Sequence, residues 1–227
     1  MTHQCVRDVM TNAVLTVKPQ TPYKDIVALL DARRIAAVPV VDVQGQVLGV
    51  VSETDLLYKQ DPNLDNDAAI THRWHGVAAA KAAATVAADV MSAPAVVISA
   101  HGTVAEAART MLVRGIKQLP VVDVTGRLIG LVTTRDLLKI YLRPDAEIRR
   151  QILDEVFRRY LRIETALLDI EVRDGIVTLA GEVPVTSQIA LAQHMTSTVA
   201  GVVAVHSRLT AATDDHNLPR TADMTDY

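Results

Sequence analysis

Two stretches of the chain combine glycine, a hydroxyl side chain and a carboxylate at one spacing: Gly49-Val-Val-Ser52-Glu-Thr-Asp55 and Gly130-Leu-Val-Thr133-Thr-Arg-Asp136. A Ser or Thr where a strand gives way to a helix caps the first turn and leaves backbone N–H groups, and the positive end of the helix dipole, facing an anion such as phosphate. Three residues on, one helical turn away, a carboxylate can accept hydrogen bonds from both hydroxyls of a diol while repelling phosphate, which orients a ligand carrying both groups. The same Ser/Thr-x-x-Asp spacing is also an ordinary helix cap in proteins that bind nothing. The stretches differ where phosphate charge would be met. The second has Arg135 beside Asp136 and Lys117 near its hairpin, and the first has Glu53 and Thr54, so Thr133 and Asp136 form the stronger candidate for a phosphorylated ligand.

Other chemistries find little support. A single cysteine, Cys5, excludes a disulfide framework and a four-cysteine metal site. His72 and His75 lie three apart but lack a third ligand, which favours solvated linker histidines over a metal site, and His101 reads as a surface residue. No Ser/His or Cys/His constellation and no Gly-rich Walker loop can be placed, so neither an enzyme nor a bound metal is expected. A net charge of -3 and a pI of about 6.1 supply no positive field for nucleic acid or anionic lipid. The N-terminal MTHQCVRDVM lacks a secretory pattern, and no apolar window reaches the ~18 residues of a membrane span, so a cytoplasmic protein is expected.

The two motifs belong to a repeat. Residues 8–57 align on 89–138 at a constant offset of 81 without a gap, and 16 of the 50 positions are identical, among them Asp8-Val9-Met10, Pro39–Val43, Gly45, Gly49 and Asp55–Leu57. Each copy reads as a DVM lead-in, a short strand (14–17 and 95–98) and a helix. That helix is opened by Thr21-Pro22 in the first copy and by the capping box Thr103/Glu106 in the second. A hairpin turning at Gly45 or Gly126 follows, then a helix beginning TDLL or RDLL. The unit is β-α-β-β-α, and its uncovered apolar faces imply that the two copies pack together. Between them, residues 58–88 run from polar to Ala-rich, a loop and then a helix.

DVM, then h-P-V-V-D, then G-h-h-[ST]-x-x-D, twice over, resembles a tandem pair of cystathionine-β-synthase-type (CBS) domains across nearly all of residues 6–141. The resemblance implies an internal pseudo-dimer whose inter-copy cleft binds an adenosine nucleotide (AMP, ADP or ATP, or a related adenosyl ligand). It places phosphate on Ser52 and Thr133, ribose on Asp55 and Asp136, and adenine against the first strand and the Pro39 or Pro120 strand. Backbone near Thr16 and Val97 would read the adenine edge, with Lys117 and Arg135 available to phosphate. It also implies a homodimer, for which the helical positions Ile26, Leu29, Leu30, Ala108, Met111 and Leu112 offer apolar surface.

After Arg143-Pro144 the pattern changes to an amphipathic helix through Ile148, Ile152, Val156, Phe157 and Tyr160. A hairpin about Asp174-Gly175, a helix over 187–200 and a strand over 202–209 follow, in the order α-β-β-α-β. V-R-D-G-I-V-T-L-A-G-E-V and the later A-G-V-V-A-V-H-S-R-L are similar to the BON domain, named for bacterial osmotic-stress and nodulation proteins. That family is associated with phospholipid or envelope binding. Over 146–210, seven Arg face eight acidic residues with no Lys, a balance of 7 − 8 = −1 that gives no polybasic attraction to lipid, so an unknown protein partner is favoured.

The expected architecture is thus α/β (α+β): CBS copies at 1–60 and 88–143, a linker with an Ala-rich helix at 61–87, a BON-like domain at 144–210 and a disordered tail at 211–227. The expected function is a regulatory adenosine-nucleotide sensor acting through the BON-like domain. A ligand-free dimerisation scaffold and a membrane- or phospholipid-associated stress protein are the alternatives.

Overall fold

The structure, a computed structural model, describes residues 4–60 and 77–215. It divides into two compact units, one spanning Gln4–Leu137 and the other beginning at Leu138.

In the first unit a 3-10 turn at Val6–Asp8 leads to helix α1 (Tyr23–Arg33), strands β1 (Ala37–Val41) and β2 (Val47–Ser52) and helix α2 (Glu53–Leu57). Helix α3 (Val77–Ala83) then precedes the second copy, and α4 (Ala87–Val90) runs into its lead-in. That copy holds β3 (Ile98–Ser99), α5 (Val104–Arg114), β4 (Gln118–Val122), β5 (Leu128–Thr133) and α6 (Thr134–Leu138). β1 pairs antiparallel with β2 and β4 with β5, each hairpin slipping one register at its turn end. The repeated Asp of PVVD makes those turns: Asp42 accepts from the N–H groups of Gln44 and Gln46, and Asp123 from those of Thr125 and Arg127. Thr103 and Glu106 form the expected capping box at the start of α5. The strand expected over 14–17 is reduced to one parallel bridge, Val17 to Val40, because only Val17 meets a partner edge.

The lead-in segments are exchanged between copies. Val6, Val9 and Met10 pack with Ala107, Met111, Leu119, Val121 and Val132 of the second copy, while Ala87, Val90 and Met91 pack with Ile26, Leu30, Val38, Val40 and Val51 of the first. Backbone pairs fix the exchange: Thr11 with Leu131 and Ser92 with Val50, each by two reciprocal N–H···O=C bonds. Each core therefore contains residues of both copies and is mainly aliphatic, with Tyr23 and Met91 packed against the first and Met10 and Met111 within the second. This use of the repeat also corrects the expected dimer face. Ile26, Leu30 and Met111 are consumed by these cores, and Leu112 with its neighbour Val113 stays exposed, at 82% and 77%.

In the second unit, a 3-10 turn (Lys139–Leu142) is followed by α7 (Asp145–Gln151), which continues as a wider π-wound helix to Leu161. β6 (Leu168–Arg173), β7 (Ile176–Val185), α8 (Ser187–Ser197) and β8 (Ala204–Thr213) complete the order α-β-β-α-β. Asp174 and Gly175 both take positive φ, 51° and 74°, as the two central positions of a tight hairpin turn demand. β7 lies between antiparallel β6 and parallel β8. One sheet face is closed by the helices around Phe157, Ile148, Ile152, Ile170 and Leu179. β8 runs three residues past the expected domain end at 210, since Val183 and Val185 of β7 continue the ladder by pairing with Ala211 and Thr213. The histidines His72 and His75 and the tail from 216 lie outside the described residues.

Candidate functional site

Both Ser/Thr-x-x-Asp motifs fold as reciprocal caps. In the first copy the carboxylate of Asp55 accepts from the backbone N–H (2.7 Å) and hydroxyl (2.6 Å) of Ser52, and the Asp55 N–H donates back to the Ser52 Oγ (3.2 Å). In the second, Asp136 accepts from the N–H (3.0 Å) and hydroxyl (2.7 Å) of Thr133 and donates its own N–H in return (3.2 Å). Both carboxylates are buried, at 7% and 6% exposure. A buried carboxylate must be hydrogen-bonded or paired, so a ligand reaching either one has to exchange with groups already there.

The helices after these motifs have five residues each. Their leading N–H groups are largely engaged, Glu53 donating to the Ala36 carbonyl and Thr134 to the Lys117 carbonyl. The helix dipole expected to meet phosphate is correspondingly short, and polar side chains have to carry more of any anion binding.

The exchanged lead-ins bring in residues that the motif reading missed. The Ser92 hydroxyl donates to the other oxygen of Asp55 (2.9 Å), and Lys81 of α3 forms a buried ion pair with that same oxygen and donates to the Ser92 Oγ (3.0 Å). The ring of Tyr58 lies 5.8 Å from the Lys81 ammonium. Lys81 is the single charged residue of the run 77–88, the one sign in the sequence that this segment has a polar task. Beneath it, the hydroxyl of Tyr23 donates to the Leu56 carbonyl (2.7 Å), and burial pushes its pKa up, so it stays a donor.

The remaining expected site residues are dispersed. Pro39 and Pro120 are buried in β1 and β4, and the Pro39 carbonyl accepts from Val17. Thr16 is exposed and lines a pocket of about 220 Å³ with Asn12, Val14, Val41, Gly45, Leu128 and Ile129, thus with residues of both copies. Neither Asp55 nor Asp136 lines that pocket. Val97 is 40% exposed ahead of β3, and Lys117 and Arg135 are exposed. Among the described residues, no group of three or more His, Cys, Asp or Glu is placed to hold a metal ion, and no helix is long and apolar enough to cross a membrane.

The family model for the CBS domain matches residues 6–61 and 86–143, and that for the BON domain matches 144–213. The chain belongs to the CBS-domain family. Its CBS pair is followed directly by its BON domain. The CBS pair is 31% identical over 142 residues to a CBS domain-containing protein of Dictyostelium discoideum, a match covering 61% of this chain and 91% of the relative. It is 30% identical to the chloroplastic CBSX2 of Arabidopsis thaliana, spanning 56% of this chain and 58% of that protein. Against inosine-5'-monophosphate dehydrogenase of Mycobacterium leprae, 29% identical, the match spans 22% of the relative. Among solved structures, CBSX2 in complex with AMP superposes with a TM-score of 0.55 at 30% identity, covering 61% of this chain and 97% of that one.

Proposed function

We propose that this protein is a cytoplasmic regulatory sensor that binds an adenosine nucleotide between its CBS copies and relays occupancy to a protein partner through its BON domain. The observation that carries the reading is the pair of buried carboxylates, Asp55 and Asp136, each one helical turn after a hydroxyl at matching places in the two copies. This arrangement suits a ligand with a diol and an anionic group, which is what a nucleotide carries. The likeness to CBSX2, solved with AMP, supports the same ligand class. Arg135 and Lys117, exposed beside the second motif, are the side chains proposed to meet phosphate.

A homodimer through the CBS helices would cover the exposed Leu112 and Val113 of α5. Relay to the BON domain follows the chain. α6 starts immediately after Thr133, and only the 3-10 turn at Lys139–Leu142 and Arg143-Pro144 separate it from α7.

Isothermal titration with AMP, ADP, ATP, S-adenosylmethionine and cyclic di-AMP tests the ligand. Binding of at least one is expected, and Asp136→Ala should weaken it by about 1.5–3 kcal/mol, the range for a hydrogen bond to a charged group. Absence of heat with all five, or unchanged affinity in both Asp136→Ala and Asp55→Ala, rejects the reading. Hydrogen exchange with the best ligand should alter protection within 144–213, and protection confined to the CBS pair would remove the relay.

A further inference from the structure

The Asp55 carboxylate is saturated from within the chain. One oxygen accepts from the N–H and the hydroxyl of Ser52, and the other accepts from the Ser92 hydroxyl and the Lys81 ammonium. A carboxylate offers about four lone-pair sites, and these four donors fill them. The ribose diol of a nucleotide would need two of those sites.

Lys81 is held there by a built contact. Its side chain is 8% exposed, it forms a buried pair with Asp55, and it has the Tyr58 ring beside it. A buried ammonium without such partners would be costly, so the pair and the docked position of α3 depend on each other. The helix is clasped a second time by Lys59, two residues past the end of α2. Its ammonium donates to the carbonyls of Ala82 (3.0 Å) and Ala84 (2.8 Å) and lies 5.0 Å from the ring of Tyr23. The Tyr23 N–H in turn donates to the Thr85 carbonyl at 2.9 Å. Both lysines thus tie the inter-copy helix to the first motif.

We propose that Lys81 is a resident occupant of the first copy's site. While α3 is docked, its ammonium and Ser92 take the acceptors that a ribose diol would use, and a nucleotide enters only by displacing Lys81 and loosening α3. This inference rests on the reading of Ser52 and Asp55 as a nucleotide site. It assigns the linker helix a role as the element that reports occupancy of that site. By linkage, anything that loosens α3 favours ligand at Asp55 to the same degree that ligand at Asp55 loosens α3.

AMP titration of the full chain carrying Asp136→Ala, with and without Lys81→Met, isolates the first site. AMP affinity is expected to rise about tenfold to a hundredfold when Lys81 is replaced, the fold-change for removing one competing charged hydrogen bond. Unchanged affinity overturns the inference. Weakened affinity also overturns it, because Lys81 would then be serving the phosphate. Should Lys81→Met fail to fold, reductive methylation of the Asp136→Ala chain, read by mass spectrometry, gives the same decision. Lys81 should be modified faster with saturating AMP than without, and slower or equal modification while AMP is bound overturns the inference with the nucleotide reading intact. If neither the wild-type chain nor any variant binds AMP, ADP or ATP, the nucleotide reading falls and the inference falls with it.

Discussion

Met91 rests on the bare backbone of Gly49: a Cβ built on that glycine would come within 2.6 Å of the methionine sulfur and 2.9 Å of the Ser92 carbonyl oxygen. The second copy's lead-in thereby lies flush against β2 of the first. The mirror contact joins Met10 to Gly130, where the corresponding distances are 2.5 Å to sulfur and 3.2 Å to the Thr11 carbonyl oxygen. The repeated methionine and the repeated glycine are thus two halves of one contact, made twice.

Gly49→Ala should cost about 1–3 kcal/mol in urea unfolding, the usual range for overpacking a tight contact. Gly130→Ala should cost less. A methionine side chain can swing aside, whereas the Ser92 carbonyl is pinned by its pairing with Val50 and stands closer than its counterpart. Equal costs for the two variants would count against the carbonyl as the deciding atom.

Asp55→Ala removes the partner of a buried ammonium, and a drop in unfolding free energy of about 3–5 kcal/mol is expected. The double variant Asp55→Ala/Lys81→Met should regain most of that loss, since no unpaired charge then remains buried. Additive losses in denaturant titrations would show that the two side chains are not coupled.

Asp123 holds the second hairpin turn and titrates below the ordinary aspartate range, first because the Thr125 hydroxyl donates to it, then because the Arg127 N–H does. Because the folded-state value is the lower one, the contribution of the charged form is present above the ordinary aspartate pKa. It is lost as the pH falls through the depressed value. A carbon-13 titration should place the Asp123 midpoint below that of a free aspartate, and Thr125→Ala should move it upward. A midpoint that Thr125→Ala leaves unmoved would rule out the hydroxyl as the main cause.

Phe157 is wholly buried at the centre of the BON-domain core, among Ile148, Ile152, Ile170 and Leu179. Phe157→Ala should destabilise that domain by about 3–5 kcal/mol. Tryptophan-independent readouts, such as exchange protection across β6 to β8, would register the loss, and unaltered protection there would mean that the cavity collapses without cost.

Much of the fold was legible because its signals are local. The Thr103/Glu106 capping box, the glycine turns at Gly45 and Gly126, and the Asp174-Gly175 hairpin each lie within a few residues of the partners that make them. The short strand over 14–17 is not local in this sense, since an apolar run becomes a strand only where an edge is there to pair with it, and only Val17 finds one. The spacing within each candidate site was equally visible, as Ser52 with Asp55 and Thr133 with Asp136 are three residues apart. Their saturation was not.

Two copies, the same cap-and-carboxylate spacing in each, and a differently patterned α-β-β-α-β domain after them can all be read from the order of the residues. All of these rest on periodicity, turn chemistry and a gapless offset, which need no knowledge of distant neighbours. Which copy's core each DVM lead-in completes, and what fills the lone pairs of Asp55, depends on how the folded chain packs. Lys81 and Ser92 reach that carboxylate from 26 and 37 residues away. Two residues so far apart meet only after the intervening chain has packed, when burying an apolar lead-in in the opposite core has carried the lysine and the serine to the carboxylate that needs them.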